Sequence, residues 1–267
     1  MESNQHLETK VNQIYIDTGN LLQSEQVKRQ ATLLPDEEAI TGLNIAVGYW
    51  KSRNQLTTIE NDSKLIISQC FGLPKEKIDP QLRENCKITV KLFIYDEIIN
   101  LLDDALDFIL KSLNTDYLDS LIIAIQSTGE TKLTMDKIKR LWNCAEKIDL
   151  KQVRDIGLSD LDTPQLSELY QSAKLIKPSS NQINLESCCV IPSEMKEFAQ
   201  NNNVKLLTHN DPKDFLADDK FRQLISSCGF DNPSKWSRFW IARYTSLQKH
   251  KGIVQNKGYI LSAKKSS

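Results

Sequence analysis

The chain has 267 residues, 40% hydrophobic and 26% charged, ordinary values for a folded domain with a sizeable core. Lys and Arg number 34 against 35 acidic residues, a net charge of −1, which gives no global attraction to nucleic acid or to an anionic membrane. No apolar run reaches the roughly 18–20 residues that cross a bilayer, and the polar start MESNQHLETK does not read as a signal peptide, so a cytoplasmic protein with reduced cysteines is expected.

In chain order, a loose tail at about 1–11 precedes a first strand, QIYIDTG (13–19), and a helix over 36–52. KLIISQ (64–69) is a weaker second strand. From 87 onward strands and helices alternate. KITVKLFI (87–94) is a strand, followed by a helix over 96–113 with Ile98, Leu101, Leu102, Ala105 and Ile109 at helical spacing. SLIIAI (120–125) precedes a helix over 134–148. RDIGLS (154–159) precedes a helix over 163–174 opened by Thr163 as N-cap and Pro164 behind it. SSNQINL (179–185) precedes a helix over 193–202, with Ser193 in a capping-box position. VKLLTHN (204–210) leads to a helix capped by Asp211. KWSRFWIARYTSLQK (235–249) reads as an amphipathic helix before a last strand, GIVQNKGYI (252–260). Eight strand–helix units in one domain of 267 residues predict a (β/α)8 TIM barrel, with a doubly wound open sheet as the alternative. No GxGxxG and no GxxxxGK[ST] occurs, so no standard nucleotide-phosphate loop is present.

A barrel carries its chemistry at the C-terminal ends of its strands. In KITVKLFI the apolar set Ile88, Val90, Leu92 and Ile94 faces the helices, which turns Thr89, Lys91 and Phe93 inward. An inward lysine is unfavourable unless paired or solvated, so Lys91 is a functional candidate, against the plainer reading of a lysine reaching to the barrel mouth. Asp211 reads as a helix cap and His209 as a loop histidine. Trp236, Phe239, Trp240 and Tyr244 form an aromatic stripe at helical spacing, read as core packing. QKHKG, with Lys257, Lys264 and Lys265, makes the C-terminus locally basic. The six cysteines form no CxxC pair, so no metal site is expected; Cys144 reads as a buried small hydrophobe, and the adjacent Cys188 and Cys189 stand out.

Between 87 and 210 the strand set resembles the aldo-keto reductases. VKLFI is similar to their lysine-bearing strand, YLDSLIIAIQ to the strand after it, IGLSDLDTPQL to their IGxSNF segment and KPSSNQIN to their cofactor-contacting strand. That resemblance implies a catalytic tetrad of tyrosine, lysine, aspartate and histidine. Lys91 matches the lysine. Ala124 stands where the histidine belongs, no tyrosine lies between Tyr49 and Tyr95, and the partner aspartate is missing. Ser159 and Gln182 match positions that hold the nicotinamide amide, although Asp160 replaces the usual asparagine, and Lys257 is a candidate to meet a phosphate.

Longer blocks, IYIDTGNLL, IGLSDLDTPQLSELY, KPSSNQINLESCCVIP, LLTHNDPK and KGYILSAKK, resemble the regulatory (modifier) subunits of glutamate–cysteine ligase, in order from 14 to 265. The resemblance implies a non-enzymatic barrel that binds the ligase's catalytic subunit as a heterodimer in the cytosol, improves glutamate use and relaxes feedback inhibition by glutathione. It requires no cofactor, with NADP(H) binding left open. It also implies that Cys188 or Cys189 forms an interchain disulfide, the choice between them open, since adjacent cysteines rarely bond to each other. An NADPH-dependent reductase and an NADP(H)-sensing pseudoenzyme are the alternatives.

Overall fold

The computed structural model describes residues 11–28, 33–53, 58–60, 63–68, 83–95, 101–126, 133–185, 190–230 and 232–266. The strands are β1 (Gln13–Asp17), β2 (Thr58–Glu60), β3 (Lys64–Ser68), β4 (Cys86–Ile94), β5 (Leu118–Ile125), β6 (Val153–Ser159), β7 (Ser180–Asn184), β8 (Lys205–His209), β9 (Trp236–Gln248) and β10 (Ile253–Lys265). The α-helices are α1 (Glu25–Lys28), α2 (Pro35–Ser52), α3 (Leu101–Leu113), α4 (Met135–Ala145), α5 (Thr163–Ser172), α6 (Ser193–Asn201) and α7 (Asp218–Ser227).

The expected alternation holds from β4 to β8. These five strands are parallel and adjacent, joined by α3, α4, α5 and α6. Apolar side chains alternate along them and meet the apolar stripes of the connecting helices. Val90, Leu92, Leu121, Ile123, Ile156 and Leu158 pack with Leu106, Ile109, Trp142 and Leu166 in one core. Asp162, not Thr163, caps α5; its carboxylate accepts the Gln165 N–H at 2.8 Å, and Gln165 returns a bond to the Asp162 N–H. Helix α6 has Pro192 at its N-cap, with Ser193 already inside the first turn.

The C-terminal quarter departs from expectation. Residues 236–248 form strand β9, not a helix, and β9 folds back on β10 through a turn at Gly252, whose φ is +63°. The misreading has a physical cause. The register slips between Ser262 and Ala263, leaving Phe239 as the extra residue of a bulge. A bulge reverses the side-chain alternation on either side of it. Trp240, Ala242 and Tyr244 therefore join one core, while Trp236 and Ile241 join the other. The resulting spacing mimics a helical stripe, although the residue types are those of a strand.

The hairpin occupies the centre of a ten-stranded sheet of order β2-β3-β1-β10-β9-β4-β5-β6-β7-β8. Three antiparallel pairings separate β1 from β4, so β1 and β3 run opposite to β4–β8. Among the described residues no ladder joins β2 to β8. Helices α3, α4 and α5 cover one face, while α2 and α7 cover the other over β1, β3, β9 and β10. Helix α7 begins at Asp218 with Ala217 at its N-cap, so Asp211 caps nothing. Its role lies elsewhere.

Candidate functional site

Lys91 sits in the middle of β4, directly between Ile122 of β5 and Arg243 of β9 in register. Its stem is buried, and its ammonium lies 2.7 Å from Asp211 Oδ2. Arg243 grips the same carboxylate with both terminal nitrogens, one of them at 3.1 Å. Burial alone would raise the Asp211 carboxyl. The hydrogen bond from His209 and the charges of Arg243 and Lys91 outweigh it and hold the group well below the usual carboxylate range. Burial pulls Lys91 below the ordinary lysine value, and the nearby Arg243 charge adds to the fall, against the pull of Asp211 and Asp160.

A second carboxylate completes the cluster. Asp160 follows β6 with φ +63°, in the left-handed region. Its oxygens lie 2.9 and 3.1 Å from His209 Nε2, at the end of β8. It also accepts the Ser159 hydroxyl at 2.8 Å and the Asn184 N–H at 3.0 Å. On the other side of the ring, Nδ1 accepts the Asp211 N–H at 3.1 Å and lies 3.1 Å from Asp211 Oδ2. The first contact suits the neutral ring with its proton on Nε2. The second forms when Nδ1 also gains a proton. Burial opposes that gain, but hydrogen bonds to Asp160 and Asp211 win and raise His209 above its ordinary pKa. The same His209 bond, with Ser159 and Lys91, overcomes burial to lower Asp160. The ionised groups of this cluster, Lys91, Arg243, Asp211 and Asp160, balance in charge when His209 is neutral.

The cluster accounts for one expected residue and exposes several that sequence reading missed. Lys91 faces inward as expected, and its aspartate is Asp211, which lay hidden in an Asp-Pro helix-cap pattern. His209 supplies the imidazole. Arg243 was masked by the helical reading of β9. A tyrosine also exists nearby: Tyr259 of β10 stands opposite Arg243 in register. Its phenol donates to Glu38 Oε2 at 2.7 Å or to the Pro35 carbonyl at 3.1 Å. Burial, then Glu38, pushes its pKa up, so it holds its proton more tightly than a free phenol. That is the wrong direction for a general acid working near neutral pH.

Of the three expected cofactor residues, Ser159 and Gln182 stand opposite each other on β6 and β7, while Lys257 lies apart. The Ser159 hydroxyl faces Asp160, the Gln182 carbonyl at 3.2 Å and His209 at 3.2 Å. Gln182 donates to the Thr208 carbonyl at 3.3 Å and leaves a buried Oε1 without a partner among the described residues. Lys257 lies on β10, separated from β6 and β7 by β9, β4 and β5, and its ammonium is neutralised by Glu38 at 2.7 Å. A phosphate-gripping cation needs a free charge, and Lys257 spends its charge on Glu38. No group of three His, Cys, Asp or Glu side chains suited to a metal occurs among the described residues. Cys188 and Cys189 lie outside the described residues.

Residues 67–258 match the Aldo/keto reductase family. Over 257 residues, 94% of this chain and 93% of the relative, the sequence is 33% identical to a protein named glutamate–cysteine ligase regulatory subunit in Homo sapiens; the Mus musculus protein of that name matches equally. The chain belongs to the aldo/keto reductase family, as a homologue of glutamate–cysteine ligase regulatory subunits. A putative regulatory subunit from Schizosaccharomyces pombe is 29% identical over 118 residues, 44% of this chain and 41% of that one. Among solved structures, an aldo/keto reductase from Klebsiella pneumoniae with NADP and acetate is 19% identical, with a TM-score of 0.37 over 48% of this chain and 44% of that one. The family match begins at β3 and runs into β10, so it contains the whole Lys91 cluster. No described helix is long and apolar enough to cross a membrane.

Proposed function

We propose that this chain is a non-catalytic regulatory subunit that binds the catalytic subunit of glutamate–cysteine ligase in the cytoplasm. In that role it improves the use of glutamate and relaxes inhibition by glutathione. The observation that carries the reading is near-full-length identity of 33% to regulatory subunits, spanning 94% of this chain. One feature of the site supports it: Tyr259 donates its phenol to Glu38, and burial with that carboxylate makes it hold its proton more tightly, so the tyrosine beside Arg243 is poorly suited to protonate a carbonyl. No cofactor is required for such a role. Coupling of this kind between subunits amounts to about 1–3 kcal/mol, a change of roughly 5–150-fold in an affinity.

Cys188 and Cys189 supply a redox link to the same partner. One thiol from this chain and one from the catalytic subunit give two protons and two electrons to glutathione disulfide. One interchain disulfide and two glutathione thiols result. The assembly then tightens as the thiol pool becomes oxidised.

A second reading, an NADP(H)-sensing chain without turnover, has one observation in its favour, the buried Gln182 Oε1 that has no partner among the described residues. Two measurements separate the readings. Sedimentation of the chain with the ligase catalytic subunit gives a one-to-one complex under the first reading. Titration with NADPH quenches its fluorescence under the second, and turnover of an aldehyde, lost in Lys91→Met, would replace both with a reductase.

A further inference from the structure

A cleft of about 340 Å³ opens beside Asp160, where β6 and β7 feed α5 and α6. Its size is near the lower end of small-ligand pockets, about 300–1,000 Å³. The floor is apolar and comes from Leu161, Ile183 and Met195, all buried. The rim carries three carboxylates from three places in the chain: Asp160 after β6, Asp162 at the N-cap of α5, and Glu194 in the first turn of α6. Among the described residues no lysine or arginine pairs with Asp162 or Glu194. Among the described residues Asp160 contacts His209 and feels the charge of Lys91 from further off, and its side chain remains 48% exposed.

We infer that this cleft is the socket for one basic side chain, arginine or lysine, of the partner ligase subunit. The inference rests on the regulatory-subunit reading and adds where the partner docks. The chemistry selects the occupant. A basic side chain has an apolar stem of three or four methylenes and a charged head, and so matches an apolar floor under an acidic rim. An anion such as a nucleotide phosphate or a glutamate carboxylate would meet three like charges. The rim is also preorganised. Asp160 is held by His209, by the Ser159 hydroxyl and by the Asn184 N–H, and Asp162 by the Gln165 N–H. A carboxylate already fixed loses little freedom when a guanidinium or ammonium arrives, and buried basic anchors of this kind dominate many interfaces.

The test measures binding of the full chain to the ligase catalytic subunit. Glu194 is exposed and makes no described ion pair, so Glu194→Lys leaves the fold intact. It is expected to weaken binding at least tenfold, with Glu194→Gln in between, while Glu84→Lys, at the opposite end of the strands, binds as the parent does. Equal affinity for the parent and Glu194→Lys overturns the socket and leaves the regulatory reading standing. If the parent itself does not bind, that reading falls, and the socket is judged by a probe. N-acetyl-argininamide is then titrated onto the chain while the Met195 methyl resonance is followed. A saturable shift in the parent and none in Glu194→Lys is expected; no shift in the parent overturns the socket.

Discussion

Lys91 Nζ lies 2.7 Å from Asp211 Oδ2, and both side chains are almost sealed from solvent, at 4% and 2% exposure. Arg243 holds the same carboxylate from the neighbouring strand. Two cations thus contact one anion, and the three residues come from β4, β9 and the loop after β8. The contact ties the parallel half of the sheet to the central hairpin.

Loss of the shared anion should therefore hurt more than loss of either cation. Asp211→Asn removes the carboxylate that both buried Lys91 and half-buried Arg243 contact and is expected to cost about 3–5 kcal/mol. Lys91→Met leaves Arg243 on Asp211 and should cost clearly less. The double variant should be less harmful than the sum, by roughly 0.5–3 kcal/mol. Urea unfolding of the four proteins measures this. An additive result would mean that the pair is not coupled.

The His209 ring predicts a neutral-pH dependence of stability. Its folded pKa lies above the ordinary value of 6.5, so the stabilisation is complete below about pH 6.5 and is lost as pH rises through the folded value. The groups that face it are Asp160 beyond β6, Asp211 beyond β8 and Lys91 of β4. Asp160 and Asp211 have lowered values and act in the opposite window. Their contribution is present above about pH 4 and disappears as pH falls through their folded values. His209→Gln should flatten the profile between pH 6 and 8 and also weaken the acid limb, because the His209 hydrogen bonds help hold Asp160 and Asp211 low. A parent whose melting temperature is constant over that range would contradict the geometry.

Two glycines should respond in opposite directions to alanine. A Cβ on Gly157 of β6 would stand 2.0 Å from Ser180 Oγ and 2.5 Å from the Ser180 carbonyl oxygen, which belong to the adjacent strand β7. Gly157→Ala forces the ladder apart beside Ser159 and should destabilise by about 1–3 kcal/mol or more. Gly48, inside α2, would meet nothing within 4 Å. Gly48→Ala should stabilise by about 0.5–1 kcal/mol. Thermal melts of both variants decide the matter.

Thiol reactivity should divide the described cysteines. Cys228 is 4% exposed, and burial pushes its pKa up to about 12, so it should resist iodoacetamide until the chain unfolds. Cys86 and Cys144 are partly exposed and should label in the native protein. In the presence of the ligase catalytic subunit and glutathione disulfide, Cys188→Ser or Cys189→Ser should abolish the covalent heterodimer seen on a non-reducing gel. If the double variant still cross-links, the disulfide uses another thiol.

Local chemistry made the β4–β8 half readable. Its strands carry apolar residues on one face and its helices carry apolar stripes, so their order and the inward Lys91 follow from spacing, although the caps of α5 and α6 fall one residue earlier than expected. The same reasoning failed where the answer was not local. The bulge at Phe239 shifted the alternation of β9 and hid Arg243 inside an apparent helix. Asp211 sits before Pro212, as helix caps often do, and only the late start of α7 frees it to meet Lys91. The reversed direction of β1 and β3 has no sequence signal of its own, because it depends on which strands the β9–β10 hairpin separates.

The central claim, a regulatory subunit acting on a ligase, is tested most directly by glutamate saturation of the ligase catalytic subunit with and without this chain, at several glutathione concentrations. The account predicts a lower apparent KM for glutamate and weaker inhibition by glutathione when the chain is present. Unchanged values of both, with the two proteins mixed at equal concentration, would contradict it.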